Sequence, residues 1–271
     1  MKVGRLTFPA ERTLVMGVLN VTPDSFSDGG QFLESDAALS HAKQMVADGA
    51  DIIDIGGESS RPGSEAVAVE EELKRVLPVI DQLSSAIPVP ISIDTRKPEV
   101  ARAAVAAGAG MVNDITGLRN PEMVKAVAEL AVPVVIMHMQ GEPKTMQENP
   151  HYNDAVEDIK AWIGEQAKSA QTAGISDIVI DPGIGFGKTV EHNLEILQRL
   201  REFESLGYPI LVGPSRKSFI GQLTGAAAHE RIAGTLAAVT VAAMNGAAIV
   251  RVHDVKECRQ ALAVADAIRH V

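Results

Sequence analysis

Two groups of polar residues stand at the ends of short apolar runs in this sequence, and their types suit different parts of one ligand. Asp94, Asn113 and Asp181 offer two carboxylates and an amide, which suit a flat, neutral heterocycle with N–H donors and ring acceptors. Basic residues end or follow the last two runs, at Arg216, Lys217, Arg251 and His253. Guanidinium and ammonium groups bind phosphate oxygens. We therefore predict a site that binds a ring at one end and phosphate at the other.

The remaining run ends are also polar, and they carry Asn20, Asp54, Asp114, His138 and Ser215. Any single Asp or Asn in such a place is equally well explained as a cap of a helix or turn. Capping does not account for a polar residue at every run end. We therefore interpret the whole set as one functional rim.

Two motifs suggest other chemistry, and both are incomplete. Residues 183–189 resemble a nucleotide-binding phosphate loop, but Pro182 replaces the first glycine that such a loop requires. His138 and His253 could ligate a metal as in hydrolase barrels, but that class generally has a His-x-His pair near the first strand, and this sequence has none there. We therefore predict neither a nucleotide-binding loop nor a histidine metal centre.

Eight short runs rich in β-branched residues must position these side chains. The runs are Leu14–Asn20, Asp51–Ile55, Pro90–Asp94, Met111–Asp114, Pro133–His138, Asp177–Asp181, Pro209–Gly213 and Ala248–Arg251. Continuous apolar runs of this length are typical of strands buried on both faces of a parallel sheet. Amphipathic helical patterns separate them, and an alanine-rich helix is predicted over Ala226–Ala243.

This alternation predicts an α/β fold, a single-domain (β/α)8 TIM barrel over residues 1–271, with an open doubly wound sheet as the alternative. In such a barrel the carboxyl ends of all strands meet at one rim, where the chemistry occurs. Long irregular stretches at 21–35, 56–68 and 139–153 follow strands, so they belong to the same rim. Loops of this length in a compact domain are usually functional.

Composition limits the partners and the location. The chain has 271 residues, of which 46% are hydrophobic, and a net charge of −10. An acidic chain gains little from a nucleic acid backbone, so we expect no nucleic acid partner. Cys258 is the single cysteine, which excludes an intramolecular disulfide and suits a reducing compartment. Polar residues interrupt the most apolar stretch, 234–250, so we expect no membrane span and a cytoplasmic protein.

Eight stretches of the sequence, taken together, resemble the dihydropteroate synthase family, which acts in folate biosynthesis. They are Met16–Gly30, Asp54–Gly63, Ile93–Thr95, Asn113–Asp114, Met137–Gly141, Asp181–Lys188, Ser215–Ser218 and Arg251–Val255. Their order and spacing agree over nearly the whole chain, and the first two are highly specific. One departure is Ser60, where many members have Thr. The hydroxyl remains, so the activity is still expected, although inhibitor contacts can differ.

The resemblance implies a reaction and its participants. The family joins p-aminobenzoate to 6-hydroxymethyl-7,8-dihydropterin diphosphate, gives 7,8-dihydropteroate and pyrophosphate, and uses Mg²⁺. Its members are generally dimeric and are sulfonamide targets. The resemblance therefore implies small-molecule substrates, a Mg²⁺ cofactor and a homodimer for this chain.

The resemblance also implies residue roles, position by position. Catalytic roles are implied for Asp94, Asp181, Lys217 and Arg251. The pterin diphosphate is expected on Ser60, Asp94, Asn113, Asp181, Lys217, Arg251 and His253. p-Aminobenzoate is expected on Ser60, Arg61, Pro62, Phe186 and Ser218, and Mg²⁺ on Asn20.

The chemistry of these substrates favours a dissociative, SN1-like step. The CH₂ carbon lies next to an electron-rich dihydropterin, so it can carry positive charge once the diphosphate leaves. Asp94 and Asp181 would stabilise that cation electrostatically while they bind the ring edges. An aniline nitrogen is nucleophilic near neutral pH, so no strong general base is required.

Two other functions share the ring pocket. A barrel that transfers a methyl group from a reduced folate would not need Asn20 or the basic pair Arg251 and His253, yet all three are present. A module that binds pterin without turnover predicts losses among Asn20, Lys217 and Arg251, and none is lost. The synthase is therefore the favoured hypothesis.

Overall fold

The structure, a computed structural model, describes residues 2–3, 6–7, 12–22, 31–59 and 63–271. Its centre is a closed barrel of eight parallel strands in chain order, in which the last strand pairs with the first. The barrel strands are β3 (Leu14–Asn20), β4 (Ile52–Gly56), β5 (Ile91–Asp94), β6 (Met111–Asp114), β7 (Val134–Met137), β8 (Ile178–Asp181), β9 (Ile210–Val212) and β10 (Ala247–Val252). The closed barrel confirms the predicted TIM fold, and the open sheet is wrong.

The strand predictions hold to within one residue at each end because both faces of every strand are buried. One set of side chains, including Met16 and Ile249, packs in a small cluster inside the barrel. The alternate set, including Val15 and Val250, packs outward in the larger core with the helices. A strand buried on both faces reads as a continuous apolar run, which is the pattern seen in the sequence.

Helices cover the outside of the barrel. They are α1 (Gln31–Ala47), α2 (Val69–Ala86), α3 (Pro98–Ala106), α4 (Pro121–Leu130), α5 (Ala155–Thr172), α6 (Val190–Gln198), α7 (Ser218–Thr224), α8 (Ile232–Met244) and α9 (Val255–Arg269). Pro98 and Pro121 occupy the first helical turn, where a missing N–H costs nothing. Asn120 and Asp154 accept hydrogen bonds from the N–H groups that begin α4 and α5.

Two segments differ from the sequence predictions. The alanine-rich helix begins at Ile232 rather than Ala226, since residues 228–230 form a separate 3₁₀ turn and Gly225 has a left-handed φ of +74°. Alanine favours helix at every position, so composition alone does not locate the start. Near the N-terminus, β1 (Lys2–Val3) and β2 (Leu6–Thr7) form a small antiparallel sheet that the patterns do not predict.

At the face of the barrel opposite the rim, two aspartates bind the segment before the first barrel strand, and we call this set of contacts the closure. Asp51 accepts hydrogen bonds from Arg12 at 2.8 and 2.6 Å and pairs with Arg259 of α9. Asp266 accepts from the backbone N–H and the hydroxyl of Thr13 at 3.0 and 2.8 Å. These contacts join the first barrel strand to the last helix. In the described part of the chain, no helix combines the length and apolar character that crossing a membrane requires.

Candidate active site

Register between neighbouring strands places four residues in one row at the rim. Asn20 of β3 is level with Gly56 of β4, Gly56 with Asp94 of β5, and Asp94 with Asn113 of β6. A Cβ on Gly56 would lie 3.8 Å from Asp94 Oδ2 and 3.9 Å from Asn20 Oδ1. The predicted ring ligands are therefore adjacent, and only a glycine separates them from the predicted metal ligand.

Arg251 of β10 forms ion pairs with two carboxylates of this rim. Its Nε donates to Asp54 Oδ2 at 2.6 Å, and its Nη2 donates to Asp94 Oδ2 at 2.6 Å. Asp54 of β4 is completely buried, and its Oδ2 also accepts from Asn113 Nδ2 at 3.1 Å. The sequence marks Asp54 only as one polar run end among many. Its contacts with two predicted ligands add it to the site.

Burial moves the pKa values of the central groups toward neutral pH. Burial raises the pKa of Asp94 to about 7, although the charge of Arg251 acts in the opposite direction. Burial also raises the pKa of Asp181 to about 6, against the hydrogen bond from Gly183 and the nearby lysines. Burial, together with the charge of Arg251, lowers the pKa of Lys217 to about 8. A ligand that replaces lost hydration with hydrogen bonds or opposite charge stabilises the ionised forms of these groups.

Lys217 and Phe186 lie in direct contact. Lys217 Nζ is 3.9 Å from the centroid of the Phe186 ring, a cation–π arrangement. Gly185 makes room for the lysine stem, because a Cβ there would lie 2.8 Å from Lys217 Cδ. Phe186 is buried in a small cluster with Ile115, Met137, Met139 and Met146. Phe186, predicted to bind p-aminobenzoate, is therefore in contact with Lys217, predicted to bind the pterin diphosphate.

The glycine-rich segment after β8 packs against the end of β7. Gly183 has a φ of +73°, and a Cβ on it would lie 1.9 Å from the carbonyl oxygen of His138, so this position requires glycine. Its N–H donates to Asp181 Oδ1 at 2.7 Å and orients that carboxylate. Buried Lys188 contacts His138 Nδ1 at 3.1 Å and donates to the carbonyl oxygen of Phe186 at 2.9 Å. Lys188 therefore anchors the segment, and its ammonium is not placed as in a phosphate loop.

The turn after β9 uses one of the predicted basic residues for structure. Arg216 has a left-handed φ of +59°, which is uncommon outside glycine. Its guanidinium pairs with Asp254 at 3.0 and 2.5 Å, and its backbone N–H donates to Thr235 Oγ1 at 3.1 Å. Ser215 Oγ lies 3.0 Å from His253 Nδ1. Arg216 thus pairs with a carboxylate of the next turn, whereas Lys217 contacts the Phe186 ring and Arg251 pairs with the predicted ring ligand Asp94.

Of the remaining predicted p-aminobenzoate residues, the structure describes Ser218. Ser60, Arg61 and Pro62 lie outside the described residues. Ser218 is exposed at the first position of α7. Just before the undescribed stretch, Glu58 pairs with Arg96 at 2.5 Å and with Lys97. A cavity of about 290 Å³, including its solvent-open part, adjoins Glu58, Asp94 and Arg96.

Comparison with known proteins assigns the chain to one family. The sequence profile of the family described as pterin binding enzymes matches residues 16–253. Dihydropteroate synthase of Escherichia coli (strain K12) is 51% identical over 255 residues, which is 93% of this chain and 90% of that protein. Dihydropteroate synthase of Synechocystis is 48% identical over 99% of this chain and 94% of that protein. The chain belongs to the dihydropteroate synthase family.

Solved structures of the family superpose closely on this barrel. The Yersinia pestis dihydropteroate synthase, in a complex with a sulfonamide drug, has a TM-score of 0.95 and 45% identity, covering 100% of this chain and 99% of that one. The Xanthomonas albilineans enzyme with 7,8-dihydropteroate has a TM-score of 0.88 and 47% identity, covering 97% and 96%. The same enzyme with 4-aminobenzoic acid has a TM-score of 0.90 and 50% identity, covering 96% and 94%. The family fold thus extends over nearly all of this chain.

Proposed function

We propose that this chain is a transferase that condenses 6-hydroxymethyl-7,8-dihydropterin diphosphate with p-aminobenzoate to give 7,8-dihydropteroate and pyrophosphate. The observation that carries the proposal is the contact of Arg251 with Asp54 and Asp94, beside Asn113, on the rim of a barrel of this family. A cation suited to diphosphate is there held against carboxylates and an amide suited to a pterin edge. The geometry therefore supports one substrate that carries both parts.

The proposed residue roles follow the chemistry of each group. The pterin ring and its diphosphate would contact Ser60, Asp94, Asn113, Asp181, Lys217, Arg251 and His253. The p-aminobenzoate would contact Ser60, Arg61, Pro62, Phe186 and Ser218. Contact between Lys217 and Phe186 supports this division, because it brings the two subsites together. The reacting carbon would lie near that contact.

The donor set around Asn20 fits Mg²⁺. Its amide oxygen lies at the rim beside Asp94, and among the residues that the structure describes no group of three or more His, Cys, Asp or Glu is arranged to hold a metal ion. Mg²⁺ binds through few protein oxygens, keeps several waters and takes substrate phosphate oxygens. Asn20 would therefore hold the ion as a single protein ligand. When bound, the ion supplies positive charge to the departing diphosphate.

We assign a dissociative order of bond changes to the reaction. The bond between the CH₂ carbon and the diphosphate oxygen breaks first, and its electron pair leaves with the diphosphate. The aniline nitrogen then attacks the pterin cation, and the new bond forms as the nitrogen releases its proton. Arg251 donates to the leaving oxygens, while Asp94 and Asp181 stabilise the cation from the ring edges. Exclusion of water from the site would protect the cation from capture.

Pyrophosphate release is the direct test of the proposed function. The purified protein is given the pterin diphosphate with and without p-aminobenzoate and Mg²⁺. We expect release to require Mg²⁺ and dihydropteroate to form when p-aminobenzoate is present. Folded protein that binds the pterin diphosphate without any turnover would instead indicate a binding module. Methyl transfer from a reduced folate would indicate the methyltransferase.

We infer three further properties from membership of the family. A sulfonamide would compete with p-aminobenzoate, the protein would form a homodimer, and it would reside in the cytoplasm. Exposed apolar side chains on α8 and α9, at Val241, Val264 and Ile268, support a surface that a second copy covers. Sedimentation velocity over a range of concentrations measures the dimer, and a monomer at every concentration contradicts it.

A further inference from the structure

We propose that Asp54 is a positioning residue that holds Arg251 and Asn113 in their binding geometry and so leaves Asp94 available to the pterin. The inference rests on the proposed function. Asp54 is completely buried below the rim, and its Oδ2 accepts from Arg251 Nε and from Asn113 Nδ2. It therefore acts through two other side chains.

The orientation of Asn113 depends on Asp54. An ionised carboxylate only accepts hydrogen bonds, so the amide must present its NH₂ group to Asp54, at 3.1 Å. The carbonyl oxygen of Asn113 then points away from Asp54 and is free to accept from a ring N–H. Without the carboxylate, the amide can rotate and offer a donor where the ligand needs an acceptor.

Asp54 also determines how Arg251 shares its charge. Arg251 uses Nε for Asp54 and Nη2 for Asp94, both at 2.6 Å. Ring N–H groups that bind Asp94 must compete with Arg251 for that carboxylate. Because Asp54 keeps its own hydrogen bond to Nε, the guanidinium stays in place when Asp94 turns to the ring. Without Asp54, Arg251 depends on Asp94 alone among the carboxylates it contacts in the described structure.

Stability does not account for this aspartate. Its other oxygen, Oδ1, is buried and has no hydrogen-bond partner among the described residues. A buried acceptor without a partner destabilises a fold. Ser92 on the neighbouring strand β5 is a similar position. It is level with Asp54, is completely buried, and its hydroxyl likewise has no hydrogen-bond partner among the described residues. The hydroxyl of Ser92 hydrogen-bonds to neither Arg251 nor Asn113, so Ser92 serves as a matched control.

The test compares Asp54→Asn, Asp54→Ala and Ser92→Ala in the full chain. We expect the KM for the pterin diphosphate to rise about ten-fold in Asp54→Asn and further in Asp54→Ala, while the KM for p-aminobenzoate changes less than two-fold. The melting temperature of Asp54→Asn should fall only slightly, because Asn keeps the side-chain shape and one acceptor and Arg251 keeps Asp94 as its partner. Ser92→Ala should keep both KM values.

Each outcome decides the proposal. A wild-type KM for the pterin diphosphate in Asp54→Asn and Asp54→Ala overturns it. A lower melting temperature with unchanged KM shows a purely structural role and also overturns it. If Asp54→Ala does not fold, Asp54→Asn decides alone. If the wild type itself does not turn over, the proposed function fails, which is distinguishable from a wild type that works and variants that match it.

A second measurement tests whether Asp54 acts through Asn113. Calorimetric binding of the pterin diphosphate is compared in Asn113→Ala with and without Asp54→Asn. We expect the loss caused by Asp54→Asn to be smaller in the Asn113→Ala background than in the wild type, because part of its effect has already been removed. Equal losses in both backgrounds contradict a role through Asn113.

Discussion

Single side chains of the rim divide into those that face a ligand and those that hold them. Arg251 and Lys217 are proposed to be of the first kind, and Arg251 also pairs with Asp54 and Asp94 of the rim. Arg216 pairs with Asp254 in the turn after the last strand. The sequence places all three at strand ends and cannot separate them. The distinction depends on Asp254, a partner 38 residues away along the chain. Residue type therefore predicts the chemistry available, and folding determines which partner each charged group receives.

Loss of Arg251 should weaken binding of the diphosphate more than loss of the Asp181 charge weakens binding of the ring. Arg251→Ala removes a charge-assisted fork of donors, so we expect the Kd of the pterin diphosphate to rise about 100-fold. Asp181→Asn keeps one acceptor, and we expect about a ten-fold rise. Calorimetry with the pterin diphosphate, and with the hydroxymethyl pterin that lacks the diphosphate group, separates binding of the diphosphate from binding of the ring. Equal effects on both ligands in Arg251→Ala would contradict the assignment.

The charge of Lys217 should limit activity at high pH. Burial lowers the pKa of Lys217 to about 8, so the ammonium deprotonates as pH rises through that value. The kcat/KM for the pterin diphosphate should then fall, since the free enzyme loses a positive charge near an anionic substrate. Lys217→Arg stays protonated in this range and should move the falling limb to higher pH. An unchanged limb in that variant would show that another group causes it.

At the scale of elements, the sequence predicts strands better than their connections. β3 and β6 are predicted at both ends because a polar residue or a glycine precedes each apolar run, at Thr13 and Gly110, and polar residues end it, at Asn20 and Asp114. The start of α8 is missed because alanine does not mark a helix end, and the role of Lys188 is missed because His138 belongs to another strand end. Local pattern carries strand identity, whereas contacts between segments define the connections.

The segment after β8 should lose stability in acid through His138. Burial lowers the pKa of His138 to about 2, so it stays neutral in the folded protein while the unfolded chain binds a proton below about pH 6.5. The free energy of unfolding therefore decreases as the pH is lowered, and this group contributes about 2 kcal/mol to the decrease between pH 7 and pH 5. His138→Gln should show this part of the decline removed in urea unfolding. His229→Gln, at an exposed position, is the control, and parallel curves for His138→Gln and wild type contradict the prediction.

At the scale of the whole molecule, stability and activity occupy opposite faces of the barrel. The rim carries the side chains proposed to bind the substrates. The hydrogen bonds of Asp51 and Asp266, which join the first barrel strand to neighbouring segments, lie at the opposite face. This separation is a general property of the fold, in which the strand ends at one face hold the chemistry. The sequence predicts the rim side chains from the run ends. It does not predict the closure, because Thr13 and Asp266 are 253 residues apart.

Removal of Asp266 should destabilise the protein without changing its chemistry. Asp266→Ala leaves the buried Thr13 N–H and hydroxyl without their partner, and we expect a loss of about 1–3 kcal/mol in the free energy of unfolding. The kcat and both KM values should stay unchanged at a temperature where the variant is folded. Asp81→Ala, at an exposed position of α2, should change neither the free energy of unfolding nor the kinetic constants. A raised KM in Asp266→Ala would show that the two faces are coupled.

The closure between Thr13 and α9 also determines where attachments to this protein leave its surface. Since α9 runs antiparallel to the strands and its last turn reaches the Thr13 end of the barrel, a tag placed after residue 271 departs from the side away from the rim. Protein immobilised through such a tag on a sensor chip would present the rim to the flowing solution. Captured in this orientation, the protein should bind substrates at full stoichiometry.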